Sequence, residues 1–242
     1  MENYEPGMSF GEDTAEIYDQ EPRGDEEATV AFLERLAGGG PALELAIGTG
    51  RIALPLAARG IRVDGIDISP AMVAKLREKP GGDQLSVTMG DFAGVPVPGT
   101  YRLIYVVYNT LHNLLTQDDQ VRCFEKVAAH LTDDGSFVVE AGVPNFLYRL
   151  RDDQHVDAET VRVDEVWLDI GRHDPVNQRH DETHVRLTKE GVRLFPIVQR
   201  YAWPSELDLM ARIAGLRLKE RWDGWDREPF TSTGNVVSVF GR

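Results

Sequence analysis

Between residues 42 and 145, short apolar runs alternate with segments whose apolar residues fall at helical spacing. The runs are Ala42–Ala46, Arg62–Ile66, Leu85–Met89, RLIYVVY and GSFVVEAGV. Helix-period segments follow after Arg51, over Pro70–Arg77 and over Asp118–Leu131, and Pro70 suits a first helical position. Strands that stay apolar on both faces, each followed by a helix, predict a parallel sheet covered on both sides. Upstream, Asp25–Leu36 reads as a helix with acids in its first turn, stopped by Gly38–Gly40.

The rhythm changes after Pro144. TVRVDEVWLDI, RHDETHVRLT and RLFPIVQRYAW alternate apolar with polar residues and have no helix between them. They predict a small antiparallel sheet inserted at about residues 155–203. PSELDLMARIAGL returns to helical spacing, and strands near Arg217–Arg221 and Val236–Phe240 close the chain. The expectation is one α/β domain over residues 25–242, built on a doubly wound, mostly parallel seven-stranded sheet. Residues 1–24 precede it as a flexible arm with one short helix near EDTAEIYDQ.

The length of 242 residues supports a sizeable core, and 42% hydrophobic with 27% charged residues is ordinary for a globular chain. A net charge of −14 with no basic run excludes an electrostatic nucleic-acid surface. No apolar stretch reaches membrane-spanning length and no signal core opens the chain, so a cytoplasmic protein is expected. The single cysteine, Cys123, lies on a helical pattern and reads as a packing residue. His130, His155, His173, His180 and His184 show no metal-type spacing with acids, so no metal is expected. His180 and His184 are four apart, but in a strand.

The chemistry concentrates in AIGTG, between the first strand and its helix. Gly48 and Gly50 let backbone approach a ligand, and Asp67, ending the second strand, is placed to accept from a ribose diol. Gly48, Gly50 and Ala53 also satisfy a dinucleotide pattern, so an NAD-type oxidoreductase and a nucleoside-binding transferase both fit this loop. Glu44 inside the first strand helps a cationic, amino-acid-like ligand and gains a pyrophosphate nothing. GDF after the third strand supplies an acid and an aromatic ring for an adenine.

LELAIGTG, GIDIS, GDF, YNTLHNL and DDGSFVVE, in this order, resemble the motifs of the class I S-adenosylmethionine-dependent methyltransferases over roughly residues 30–145. The resemblance implies a Rossmann-like fold and S-adenosylmethionine as cofactor, with S-adenosylhomocysteine as product. It implies that Ala46, Ile47, Gly48 and Gly50 line the methionine portion, with Glu44 beneath. Asp67 holds the ribose, Ile68 and Met72 lie near the adenine, and Asp91 and Phe92 read its edge and face. Tyr108 and Asn109 sit under the sulfonium, and Tyr18 closes over the methionine carboxylate. Ala46 stands where the family has its first glycine, which an alanine fills if its φ is negative.

His112, at the carboxyl end of the fourth strand, is the expected catalytic base or orienter for a substrate hydroxyl or ammonium. The second half resembles bacterial small-molecule members such as the N,N-dimethyltransferases of antibiotic deoxysugars. That implies that Tyr148, Arg149, Arg200, Tyr201 and Trp225 face a small substrate, or that the inserted sheet forms a homodimer contact. RWDGWDREPFTST reads as a mobile loop able to cover a site. The reading is methyl transfer to an oxygen or nitrogen of a small molecule, without metal. The alternatives are a ligand-binding or repurposed protein of the same shape, and an NAD-type oxidoreductase.

Overall fold

The computed structural model describes residues 1–242 except Asn3, Glu21 and residues 232–234. Its strands are β1 (Ala42–Leu45), β2 (Val63–Asp67), β3 (Ser86–Met89), β4 (Tyr101–Val106), β5 (Leu131–Gly142), β6 (Gln154–Val161), β7 (Glu165–Asp174), β8 (Arg179–Thr188), β9 (Gly191–Arg200), β10 (Arg217–Asp223), β11 (Glu228–Pro229) and β12 (Asn235–Gly241). The α-helices are α1 (Glu12–Ile17), α2 (Glu26–Ala37), α3 (Ala53–Ala58), α4 (Pro70–Arg77), α5 (Gln117–His130) and α6 (Pro204–Ile213). No helix among the described residues is long and apolar enough to cross a membrane.

The central sheet runs β11-β10-β12-β5-β4-β1-β2-β3. Its first five strands in chain order pair in parallel, and β12 lies antiparallel between β5 and β10. These are the seven expected strands. An eighth, the two-residue β11, extends the edge beyond β10. Every residue of β1 and β2 is buried, as strands covered on both faces require. On one side Phe124 of α5 meets Phe137 of β5 and Phe240 of β12 edge to face, with centroids 5.1 and 5.6 Å apart. On the other side Phe32 and Leu33 of α2 pack with Tyr105, Val138 and Val237.

The stretch after Pro144 forms four antiparallel strands, β6-β7-β8-β9, rather than three. The added member, β6, begins at Gln154, ahead of the first expected stretch, and pairs along its length with β7. One face of this sheet is apolar in register: Val156–Ile170–Thr183–Pro196 and Ala158–Leu168–Val185–Leu194. Val156, Ile170, Val192 and Leu194 there are 65, 40, 63 and 63% exposed. The opposite face carries His155, Asp169, Glu182 and His184.

The arm is fastened at several points instead of running free. A 3-10 turn, Pro6–Phe10, leads into α1. The Ser9 hydroxyl donates to the Pro196 carbonyl at 2.7 Å, and the Ser69 hydroxyl donates to the Phe10 carbonyl at 2.6 Å. Arg193 pairs with Asp13 at 2.7 Å, and Lys79 with Asp19 at 2.6 Å. The arm thus bridges α4 and β9 across the carboxyl edge of the parallel strands.

Candidate active site

At that edge, where strand order reverses between β1 and β4, the arm roofs a cavity of about 280 Å³. Tyr18, Ala46, Gly48, Asp67, Ile68, Met72, Asp91 and Phe92 line it, drawn from the arm and from the ends of β1, β2 and β3.

The loop after β1 is built around Asp67. Its Oδ2 accepts from the Gly48 N–H at 2.6 Å and its Oδ1 from the Ser69 N–H at 2.8 Å. Burial raises its pKa above the usual carboxylate range, against these two hydrogen bonds. Each oxygen keeps a lone pair for a further donor, so the carboxylate is held ready for a diol. The Gly48 N–H is spent on Asp67 and the Gly50 N–H on the Ile47 carbonyl at 2.9 Å. Neither is left for a pyrophosphate, which removes the basis of the dinucleotide reading.

Ala46 has φ +60°, not the negative value expected. A left-handed alanine costs about 1 kcal/mol relative to glycine. The Ile47 N–H to Ile66 carbonyl bond at 2.9 Å holds the turn regardless. Gly50 has φ +75°, and a Cβ there would lie 2.3 Å from Leu76 Cδ1. Gly50 therefore serves packing against α4 and not the ligand. Ile47 likewise lies against Gly65, where a Cβ would meet its side chain at 2.5 Å.

Asp91 caps its own turn, Oδ1 accepting from the Ala93 N–H at 2.8 Å, and Phe92 follows on the cavity wall. Ile68 is 46% exposed, an apolar wall with room for a planar partner. Tyr18 is clamped by Arg51, whose guanidinium stands 4.6 Å from the ring centroid.

Other expected residues lie behind the cavity. Glu44 is buried under the loop, where its Oε2 accepts from the Tyr105 hydroxyl at 2.9 Å. Burial pushes its pKa up to about 8, so it is a neutral carboxyl near pH 7 and offers no anion to a cationic ligand. Tyr108 and Asn109 both have positive φ, 59° and 60°. Glu140 secures this strained turn: it accepts from the Tyr108 N–H at 2.8 Å and pairs with Arg23 at 2.7 Å, while Arg23 covers the Tyr108 ring at 4.3 Å. Asn109 Oδ1 accepts from the Gly142 N–H. The two residues shape the floor without lining the cavity.

His112 is 5% exposed, and its Nε2 accepts from the Ala202 N–H at 3.4 Å, away from the cavity. Burial, with Arg200 nearby, lowers its pKa to about 4. Arg200 is also buried, bonded to Gln120 at 2.5 Å and paired with Glu206 at 2.7 Å, so it braces α5, α6 and β9 instead of facing a substrate. Tyr201 turns its hydroxyl to His173 Nε2 at 3.1 Å. Trp225 is 4% exposed and packs edge-on against Phe32 at 5.4 Å; it is core, because the turn after β10 folds back onto α2. Tyr148 is 81% exposed and Arg149 is paired with Asp157 at 2.8 Å, both outside the cavity lining. In the segment read as a covering loop, Ser232 and Thr233 lie outside the described residues.

The remaining cavity wall comes from residues that sequence reading passed over: Pro6 and Phe10 of the arm, and Thr110, Asn113, Leu114, Leu115 and Asp119 beyond β4. The signal for the second group was present, since a segment leaving the carboxyl end of a parallel strand borders the ligand site. Thr116 caps α5, its hydroxyl oxygen accepting from the Asp119 N–H at 3.1 Å, and the Asp119 carboxylate pairs with Arg122 at 2.6 Å.

The methyltransferase-domain family matches residues 42–135. Over 98% of this chain and 99% of the other, the CcbJ methyltransferase from Streptomyces caelestis is 35% identical, with a TM-score of 0.91. The chain belongs to the class I S-adenosylmethionine-dependent methyltransferases. The cypemycin N-terminal methyltransferase of a Streptomyces species is 24% identical over 81% of this methyltransferase and 80% of its own length. In fold, the chain is similar to an amino pentose methyltransferase of calicheamicin biosynthesis from Micromonospora echinaspora, with a TM-score of 0.68 at 22% identity, covering 100% of this chain and 99% of that one. Its cofactor is S-adenosylmethionine, which supplies an electrophilic methyl group on a sulfonium. The cavity fits that cofactor: Asp67 has lone pairs to spare beside two fixed N–H donors, and Ile68 and Phe92 give apolar walls beside Asp91.

Proposed function

We propose that this methyltransferase acts on the nitrogen of a small-molecule amine. One observation carries the reading: among the described residues, the cavity wall has aspartates but no His, Lys or Arg. Carboxylates with no neighbouring cation in the wall favour an acceptor that arrives as an ammonium. Once it has lost a proton the amine already has its lone pair, whereas a hydroxyl must be deprotonated as it reacts. Displacement at the methyl carbon forms the N–C bond, breaks the S–C bond and leaves an ammonium that loses one proton to water. The wall then contributes position and exclusion of solvent. His112 is read as an orienter, tying the turn after β4 to Ala202, and not as a base. The sugar and peptide amines in the names of the similar proteins support the same class of acceptor.

Matched pairs of amino sugars and their hydroxyl analogues, assayed with S-adenosylmethionine by mass spectrometry, test this. Methyl gain on the amine alone is expected, with a rate that climbs as pH approaches the pKa of that amine, because only the unprotonated form reacts. Equal or faster methylation of the hydroxyl analogue would overturn the nitrogen assignment.

The same proposal includes a second copy of the chain covering the apolar face of β6–β9. Val156, Ile170, Val192 and Leu194 form a patch that an isolated chain leaves wet. Sedimentation velocity should give a dimer for the parent and a monomer for Leu194→Asp; a monomeric parent ends this part of the reading.

A further inference from the structure

On the inner face of the inserted sheet, three adjacent strands bring together His155 of β6, Asp169 of β7 and Glu182 of β8. One donor atom from each lies within 4.8 Å of the other two. Register explains the grouping. His155, Gly171 and Glu182 stand in one cross-strand row, and Asp169 is one pleat along on the same face. Chain spacing gave no sign of it, because each ligand comes from a different strand.

The centre of the group is Gly171. A Cβ there would lie 2.0 Å from His155 Cε1 and 2.4 Å from His180 Nε2, so both imidazoles fill the hollow that the glycine leaves. His155, Asp169 and His180 are 7, 8 and 4% exposed. His155 Nε2 meets Asp169 Oδ2 at 3.0 Å. Carboxyl oxygens of Asp169 and Glu182 lie within 4.8 Å of each other and of a His155 ring nitrogen. Arg149, the guanidinium acting on Glu182, is already paired with Asp157. His155 Nδ1, His180 Nε2 and Asp169 Oδ1 are buried with no hydrogen-bond partner. Orphaned atoms of this kind are rare in a network whose only role is packing.

We propose that His155, Asp169 and Glu182 bind a divalent transition-metal ion of the zinc class, with His180 as the fourth donor. An imidazole and carboxylate set suits such an ion. The ion takes the place of any proton these side chains hold, which leaves to solvent, and it cross-links β6, β7 and β8. These residues are not among those lining the methyl-transfer cavity, so the role is to fix the inserted sheet.

The test uses the full chain without a polyhistidine tag, stripped of metal and titrated with Co²⁺ and then Zn²⁺. One Co²⁺ per chain is expected, with the visible absorption of a four-coordinate site, displaced by Zn²⁺ and accompanied by a higher thermal midpoint. His155→Ala should abolish the absorption and weaken Zn²⁺ binding by at least about 100-fold. His130→Ala, on α5, should change neither. If His155→Ala fails to fold, the near-isosteric pair Asp169→Asn with Glu182→Gln carries the same test, its folding checked by retained S-adenosylmethionine binding. No stoichiometric Co²⁺ uptake by the parent, or uptake unchanged in these variants, would overturn the site.

Discussion

Asp67→Ala is expected to weaken S-adenosylmethionine binding by about 100-fold or more. Hydrogen bonds to a charged acceptor contribute about 1.5–3 kcal/mol each, and two ribose hydroxyls lose theirs together, so a total near 3 kcal/mol is a modest expectation. The same change strips the Gly48 and Ser69 N–H groups of their acceptor, which loosens the loop that carries Ala46. Asp67→Asn, keeping one acceptor oxygen, should lose less. Calorimetric titration with S-adenosylmethionine reads both, and thermal unfolding without ligand separates lost contacts from lost structure. Undiminished affinity in a folded Asp67→Ala would remove Asp67 from the cofactor site.

Glu44→Gln should change how stability depends on pH. Folding raises the Glu44 pKa from 4.5 to about 8, so the folded chain holds a proton that the unfolded chain has released. The stability this group contributes is fully present below pH 4.5 and is lost as pH rises through 8. Glutamine cannot ionise and can still accept from Tyr105. Between pH 5 and pH 8.5 the variant should therefore gain on the parent by about 3–4 kcal/mol, an order-of-magnitude figure from the linkage relation. His112 acts in the opposite sense, since its pKa is lowered from 6.5 to about 4 and its penalty grows as pH falls through that window. Denaturant melts at several pH values check the difference. A constant gap between parent and variant would show that Glu44 is ionised in the fold.

The layering of this enzyme was legible because β1 and β2 are buried on both faces, and only continuous apolar runs survive there. That Asp67, Asp91 and Phe92 line the cavity was legible for a related reason. Each ends a parallel strand or follows one within three residues, so the topology determines where it emerges. Trp225, Arg200 and Tyr201 had no such anchor. A large amphipathic side chain in an irregular or inserted segment suits a substrate wall and a packing seam equally well, and the choice depended on partners distant in sequence. Arg200 found Gln120, and Trp225 found Phe32. His112 was placed correctly at a strand end, but one helical turn decides whether a side chain faces ligand or core. The positive φ of Ala46 was hidden because alanine there contradicts local preference, and the surrounding hydrogen bonds prevail over it.

The fastening of Ser9 to the Pro196 carbonyl ties together residues 187 positions apart. On the ribosome the arm emerges ahead of the strands it roofs, yet its anchor on β9 waits until those 187 further residues have been added. At 5–20 residues per second that interval is on the order of 10–40 s. For about the last half of that interval β1–β4 have been made, and the arm has its partners at Ser69 and Lys79 but none on β9. Until then the roof is fastened on its α4 side alone, so the fully closed pocket is a late product of biosynthesis.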